Sequence, residues 1–231
     1  MKWFTMLFLL LASFSVWAGD AAKLKFIGFS DAGNYLAYQQ YWISDGEGAA
    51  YAELHIIDVE RNRHIIPPIK HHHPDDRQLS ALRQKNLKAA NAKLKKYKIR
   101  TNNQGDWLAS KRFSDIGSNG KQVRFSVGTP LANMPNIKYK LSLKEKGSRV
   151  SCGDAGKAKM FHLTLLNEGA QKTKTLQKDR NIPKVRGCPL RYRIQDVYAY
   201  HEEFITVFLN VFQAGFEGNN MRYMVVTGTL N

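Results

Sequence analysis

Acidic residues are scarce in this chain: 19 Asp and Glu stand against 35 Lys and Arg in 231 residues. Cysteine is scarcer. Cys152 and Cys188 are the only two, and no CxxC spacing joins them, which argues against a dithiol redox site. The motifs that mark common chemistries are missing too. There is no GxSxG nucleophile elbow, no HExxH helix, no Walker loop and no dinucleotide fingerprint. Beyond residue 18 no apolar run is long enough to span a bilayer as a helix. These gaps imply no cofactor and turn the reading away from an enzyme.

The one long apolar stretch lies at the start. Lys2 supplies a short positive region, Trp3 to Phe14 an apolar core, and Val16 and Ala18 small residues where a signal peptidase reads. Residues 1–18 therefore read as a signal peptide and residues 19–231 as a single β-rich exported domain, periplasmic or secreted. No cysteine follows the apolar stretch, so a lipoprotein anchor is not expected. Loss of Lys2 leaves 34 basic against 19 acidic residues, a net charge of +15. Such a charge suits an anionic environment, or simply maintains solubility. The partners to expect are anionic envelope components or another envelope protein. Export makes nucleic acid an unexpected partner. It also favours a Cys152–Cys188 disulfide, closing a loop worth roughly 3–4 kcal/mol in the chain-entropy model.

Past the signal, strand patterns dominate. Lys23 to Pro67 holds aromatic-rich apolar runs separated by Asp31-Ala32-Gly33, by Asp45-Gly46-Glu47-Gly48 and by Glu60-Arg61-Asn62, the pattern of an antiparallel meander. Residues 74–98 predict one inserted amphipathic helix. Leu79, Leu82, Leu87, Ala90, Leu94 and Tyr97 form its apolar stripe, Asp75 and Asp76 sit at its start, and Lys93, Lys95, Lys96 and Lys98 at its end. Its stripe is expected to dock on a sheet, with a membrane surface as the alternative. Strands are then expected over Trp107 to Phe113, Lys121 to Val127, Ile137 to Leu143, Met160 to Leu166, Gln171 to Leu176, Leu190 to Tyr200, Phe204 to Phe212 and Met221 to Thr227. Lys144 to Lys159 reads as a loop, and the last strand as a central one. The expected class is mainly β: antiparallel meanders, closing as a sandwich or a partial propeller-like sheet.

Two resemblances accompany this reading. The run Gly28-Phe29-Ser30-Asp31-Ala32-Gly33-Asn34-Tyr35-Leu36-Ala37-Tyr38, followed by Ala52 to Val59, resembles one propeller-type blade over residues 23–67. A closed propeller needs at least four such blades, and no second good copy is present. The order of that run, AELHIIDVERNR, the basic helix, Cys188-Pro189-Leu190-Arg191-Tyr192 and VFQAGFEGNNMRYMVVTG is similar to a bacterial family of predicted secreted proteins with a domain of unknown function. The resemblance implies an exported domain and brings no activity with it.

Candidate chemistry is sparse. His71, His72 and His73, with Asp75 and Asp76 nearby, are the densest set of possible metal ligands, although three adjacent histidines in a polar junction rarely face one ion. They and His201-Glu202-Glu203 are the only footing for a metal-assisted hydrolase. The latter group also reads as a charged hairpin turn. Gly117 to Lys121 can cradle an anion or simply turn the chain. In Gly215 to Asn220, Phe216 and Glu217 form a candidate binding loop, with Phe216 plugging the end of a sandwich as the alternative.

Overall fold

A computed structural model describes residues 19–111, 119–128, 136–215 and 218–230. The expected signal segment, part of the Gly117 to Lys121 turn, the end of the strand expected to reach Phe113, and the loop residues Phe216 and Glu217 lie outside the described residues.

The described residues form thirteen strands and one α-helix: β1 (Lys23–Phe29), β2 (Tyr35–Ile43), β3 (Ala50–Asp58), β4 (Arg63–His64), β5 (Ile69–His73), α1 (Leu79–Lys96), β6 (Asp106–Ser110), β7 (Gln122–Val127), β8 (Ile137–Ser151), β9 (Lys157–Asn167), β10 (Lys172–Lys178), β11 (Pro189–Tyr200), β12 (Phe204–Ala214) and β13 (Asn219–Thr229). They make three antiparallel sheets. The first runs β1-β2-β3-β4, with β5 also pairing β3. A middle sheet runs β13-β12-β11-β6, and an outer sheet β10-β9-β8-β7. The class is mainly β, as the sequence predicts, and the blade-like segment is a single meander.

The stacking order follows from which side chains face which. In β12, Phe204 and Phe208 point to Phe26, Phe29, Leu36 and Tyr38 of the first sheet. Ile205, Val207, Leu209 and Val211 point the other way, to Phe125, Leu141, Phe161 and Leu163 of the outer sheet. β12 is therefore buried on both faces, which explains a sequence apolar at nearly every position. In β11 a bulge between Ile194 and Asp196 switches the phase. Tyr192 and Ile194 before it, and Val197 and Ala199 after it, reach the same core, while Tyr198 and Tyr200 turn to the other. α1 covers the far face of the first sheet, where Leu82 and Ala90 pack on Ala50, Ala52, Leu54 and Ile56. The result is a stack of helix, first sheet, middle sheet and outer sheet.

Two sheet edges, β1 and β13, are closed by side chains and loops. Residues 99–104 run along β1. Arg100 N donates to Phe29 O (3.0 Å), Asn102 N to Ile27 O (2.9 Å), and Gln104 Nε2 to Phe26 O (2.6 Å). β13 is an edge strand, not the central one its apolar sequence predicts. Its Val225 and Val226 are buried in the cores on its two faces, and Asp20 to Ala22, Gln40 and Asn62 satisfy its free backbone edge. Met221 N donates to Asp20 O, Tyr223 N to Gln40 Oε1 and Thr227 N to Asn62 Oδ1.

The expected helix begins as a 3-10 turn, Asp76–Gln78, capped by Asp75, which accepts from Arg77 N. It ends in a Schellman arrangement. Ile99 N donates to Leu94 O and Lys98 N to Lys95 O, with Lys98 at φ 52 where glycine is favoured. The stretch Lys144 to Lys159 is not a loop. β8 and β9 continue through it as a long hairpin arm, because Glu145 to Gly147 keep pairing with Phe161 to Lys159. Near its tip Cys152 forms the disulfide with Cys188. Beside that bond the buried Arg186–Asp179 ion pair lies against the Phe161 ring, 5.1 Å from the guanidinium carbon.

Gly28 sits at φ +150, and a Cβ there would lie 2.2 Å from Arg100 O. Gly28→Ala is expected to lose more than about 2 kcal/mol in denaturant unfolding, as strained backbone and steric overlap combine. Lys98→Gly is expected to gain about 0.5–1 kcal/mol. An unchanged midpoint for either variant would contradict these assignments.

Candidate functional site

The outer sheet has one face in the core and one in solvent. Val123, Phe125, Tyr139, Leu141, Leu143, Phe161, Leu163 and Leu165 face inward. Alternation then sends Arg124 of β7 and Lys138, Lys140, Lys144 and Lys146 of β8 outward. β9 adds His162 and Thr164, and a bulge in β10 brings Thr175 and Lys178 to the same side, opposite Thr164 and His162. The register aligns these into cross-strand rows. Arg124 lies beside Lys140, Ser142 beside Thr164, and Lys144 beside His162. Outward positions on β8 repeat roughly every 7 Å, and lysine fills them at 138, 140, 144 and 146, with Ser142 between the two pairs. Glu168 at the sheet end is the acidic side chain met here among the described residues, and it pairs with Arg124 at 2.9 Å. The face is cationic and carries hydroxyls, with Met160 and Leu166 of β9 also turned outward.

It is held rigid from beneath. Glu145 turns inward, binds Lys121 and Lys159, and accepts from Tyr192 N. Burial raises the Glu145 carboxyl, but the Lys121 and Tyr192 hydrogen bonds outweigh that and leave it below its ordinary value. The disulfide and the Arg186–Asp179 pair clamp the distal arm to the segment leading into β11.

The three adjacent histidines do not gather. β5 alternates, so His71 meets Asn86 of α1 (3.1 Å) and His73 Nδ1 accepts from Asp75 N (3.1 Å) on the helix side. His72 stacks on Tyr51 on the opposite face. Among the described residues, no three His, Cys, Asp or Glu side chains converge as metal ligands. His201 and Glu202 occupy a tight turn at positive φ between β11 and β12, and Glu203 completes it. The apolar stripe of α1 is already occupied by the first sheet.

A different group assembles that the sequence reading did not single out. Glu53 and His55 lie two apart on β3 and so share a face. His55 Nε2 is 3.4 Å from Glu53 Oε2, and its Nδ1 is 3.0 Å from His64 Nε2 on β4. Tyr38 stacks flat on His55 at 4.4 Å, Gln40 donates to Glu53 (2.9 Å), and Lys70 pairs with Glu53 at 2.7 Å. This polar row lies where the apolar core between the first and middle sheets gives out. Burial raises the Glu53 carboxyl, but hydrogen bonds from His55 and Lys70 prevail and hold it at about 2. Burial, then Glu53 acting in the opposite sense, leaves His55 below its ordinary value. Burial and the neighbouring His55 bring His64 to about 4. Two neutral imidazoles beside one carboxylate form a chain that can pass a proton from the sheet edge inward. The signal in the sequence was the period-two set Tyr51, Glu53, His55.

With the fold in view, the model of a family described as predicted secreted proteins (DUF2259) matches residues 37–229. The chain belongs to this family. The match spans all three sheets except β1. Neither a curated protein nor a solved structure matches the chain. In keeping with a secreted family, no helix among the described residues is long and apolar enough to cross a membrane.

The histidine row sets a pH dependence. His55 and His64 ionise less readily folded than at their ordinary 6.5, so the unfolded chain binds more protons below that value. Stability is full above pH 6.5 and falls as pH drops toward about 4. Glu53 extends the loss from 4.5 toward about 2. Urea unfolding at stepped pH is expected to show this decline, and His64→Gln to flatten the part above pH 4. An identical slope in the variant would remove the assignment.

Proposed function

We propose that this exported protein is a non-catalytic binding module whose ligand is a linear polyanion of the cell envelope, held along the solvent face of the outer sheet. The observation that carries this reading is the row Lys138, Lys140, Lys144 and Lys146, flanked by Arg124 and Lys178 on one face. A repeating anion laid along β8 meets a cation at each outward lysine, and Ser142, Thr164 and Thr175 between them offer hydroxyl donors. The long-range field of the net charge brings such a ligand in. The lysines of α1 are a second source of charge, but a helix splays them around a cylinder. Met160 and Leu166 stand on the same face, opposite Lys146 and Lys140, so the vesicle arm of the test separates a polymer from a lipid surface.

The test uses immobilised long-chain polyphosphate at moderate salt. Binding is expected to weaken steeply with salt and to fall at least about tenfold when Lys138, Lys140, Lys144 and Lys146 become Gln. Replacing Lys85, Lys88 and Lys95 of α1 is expected to leave most of it. Equal losses from the two sets would reduce the charge to a solubility device. Binding to phosphatidylglycerol vesicles alone would move the reading to a lipid surface.

A further inference from the structure

Between β1 of the first sheet and β11 of the middle sheet a cleft of about 430 Å³ opens. Leu24 and Phe26, two apart on β1, turn to it, so Lys23 and Lys25 alternate to the other side of the strand. Asp196 and Tyr198, two apart on β11, line it from across, together with Tyr223 of β13. Both tyrosine hydroxyls feel the Asp196 carboxylate. Burial, then that charge, pushes Tyr198 up to about 12 and raises Tyr223 as well.

Asp196 is the unusual group of this cleft. The chain holds 35 Lys and Arg against 19 Asp and Glu, so basic partners are plentiful. Among the described residues, every other carboxylate withdrawn from full exposure has a Lys or Arg nitrogen within 3.5 Å. Asp196 is half-buried and has no such partner among them. Its Oδ1 accepts from Trp107 Nε1 at 3.3 Å, a neutral donor that fixes the carboxylate without cancelling its charge. Its Oδ2 accepts from none of the described residues. Gln104 supplies a second acceptor. Its Nε2 donates to Phe26 O at 2.6 Å, which leaves Oε1 as the end it offers.

A carboxylate without a counter-charge, a spare amide oxygen and aromatic walls match one ligand chemistry. A primary ammonium carries three N–H donors, pairs with the carboxylate and is attracted to the tyrosine rings, while an alkyl stem behind it packs on Leu24 and Phe26. An anion would meet Asp196 at close range. A quaternary ammonium would leave both acceptors unused. We propose that this cleft binds a primary ammonium group on an alkyl stem, with Asp196 as its counter-charge, Gln104 as its second acceptor and Phe26, Tyr198 and Tyr223 as its walls. A free aliphatic amine and the lysine side chain of a peptide both carry this group.

n-Butylammonium and Nα-acetyl-lysine methylamide are the two probes, titrated into the mature protein and followed by calorimetry and by the fluorescence of Trp107. Saturable binding is expected for both, and the tighter of the two identifies the source, free amine or peptide. n-Butanol, butyrate and tetramethylammonium are expected to bind the unaltered protein at least about tenfold more weakly than n-butylammonium, a comparison that needs no variant to fold. Asp196→Asn keeps an acceptor for Trp107 and is expected to weaken n-butylammonium at least about tenfold. Lys25→Gln is expected not to weaken it, because that side chain faces away. The same titration in the variant lacking Lys138, Lys140, Lys144 and Lys146 is expected to be unchanged, which separates this cleft from the outer-sheet face. Absence of saturable binding by either amine, equal binding of butyrate or tetramethylammonium, or full affinity in a folded Asp196→Asn protein overturns the assignment.

Discussion

One strand sandwiched on both sides sets the plan of this protein. β12 sends Phe204 and Phe208 into one core and Ile205, Val207, Leu209 and Val211 into another. A strand with two apolar faces requires a covering sheet on each, and the chain supplies one from each side in sequence: the amino-terminal meander, then the β7–β10 sheet. The first sheet then has an apolar outer face of its own, at Ala50, Ala52, Leu54 and Ile56, and α1 covers it. Among the described residues only the outer sheet leaves a broad strand face to water, and that is where the lysines of β8 lie. The position of the proposed polyanion face follows from the stacking order.

The same constraint explains where the polar groups gather. The sheets do not overlap completely, and the apolar core ends before the strands do. At one margin the gap is closed by Glu53, His55, His64 and Gln40, each satisfied by the next. At another margin Trp107 of β6 stays exposed and donates to Asp196, which lines an open cleft. Buried polar atoms must find partners, so the first margin became a network.

Much of the fold was readable from local pattern. Alternation in Val123 to Val127 and Tyr139 to Leu143 gave half-exposed strands, and the leucine stripe of residues 79–97 gave the docked helix. The pairing of cysteines followed from export and even count. The pattern failed where tertiary cover overrides polarity. Lys144 to Lys159 looked like a loop because a solvent-exposed hairpin arm carries lysine and glycine as readily as a turn does. β13 looked central because edge cover comes from Asp20, Gln40 and Asn62, which lie far from it in sequence. The candidate site was less legible. Outward lysines at alternate positions could be counted, but their union with Arg124 and Lys178 depends on register and a bulge. The density of His71 to His73 drew attention to residues that alternation splits, while His55 and His64, nine positions apart, meet only across the β3–β4 turn.

Native-state hydrogen exchange tests the shared-strand architecture most directly. The amides of β12 are expected to exchange only through global unfolding. Phe208→Ala and Val207→Ala, which open different cores, are each expected to cost about 1–5 kcal/mol and to speed exchange in the first and outer sheets alike. If Val207→Ala loosened the outer sheet while β1–β5 and α1 kept their protection, the two halves would be separate units and β12 would not couple them.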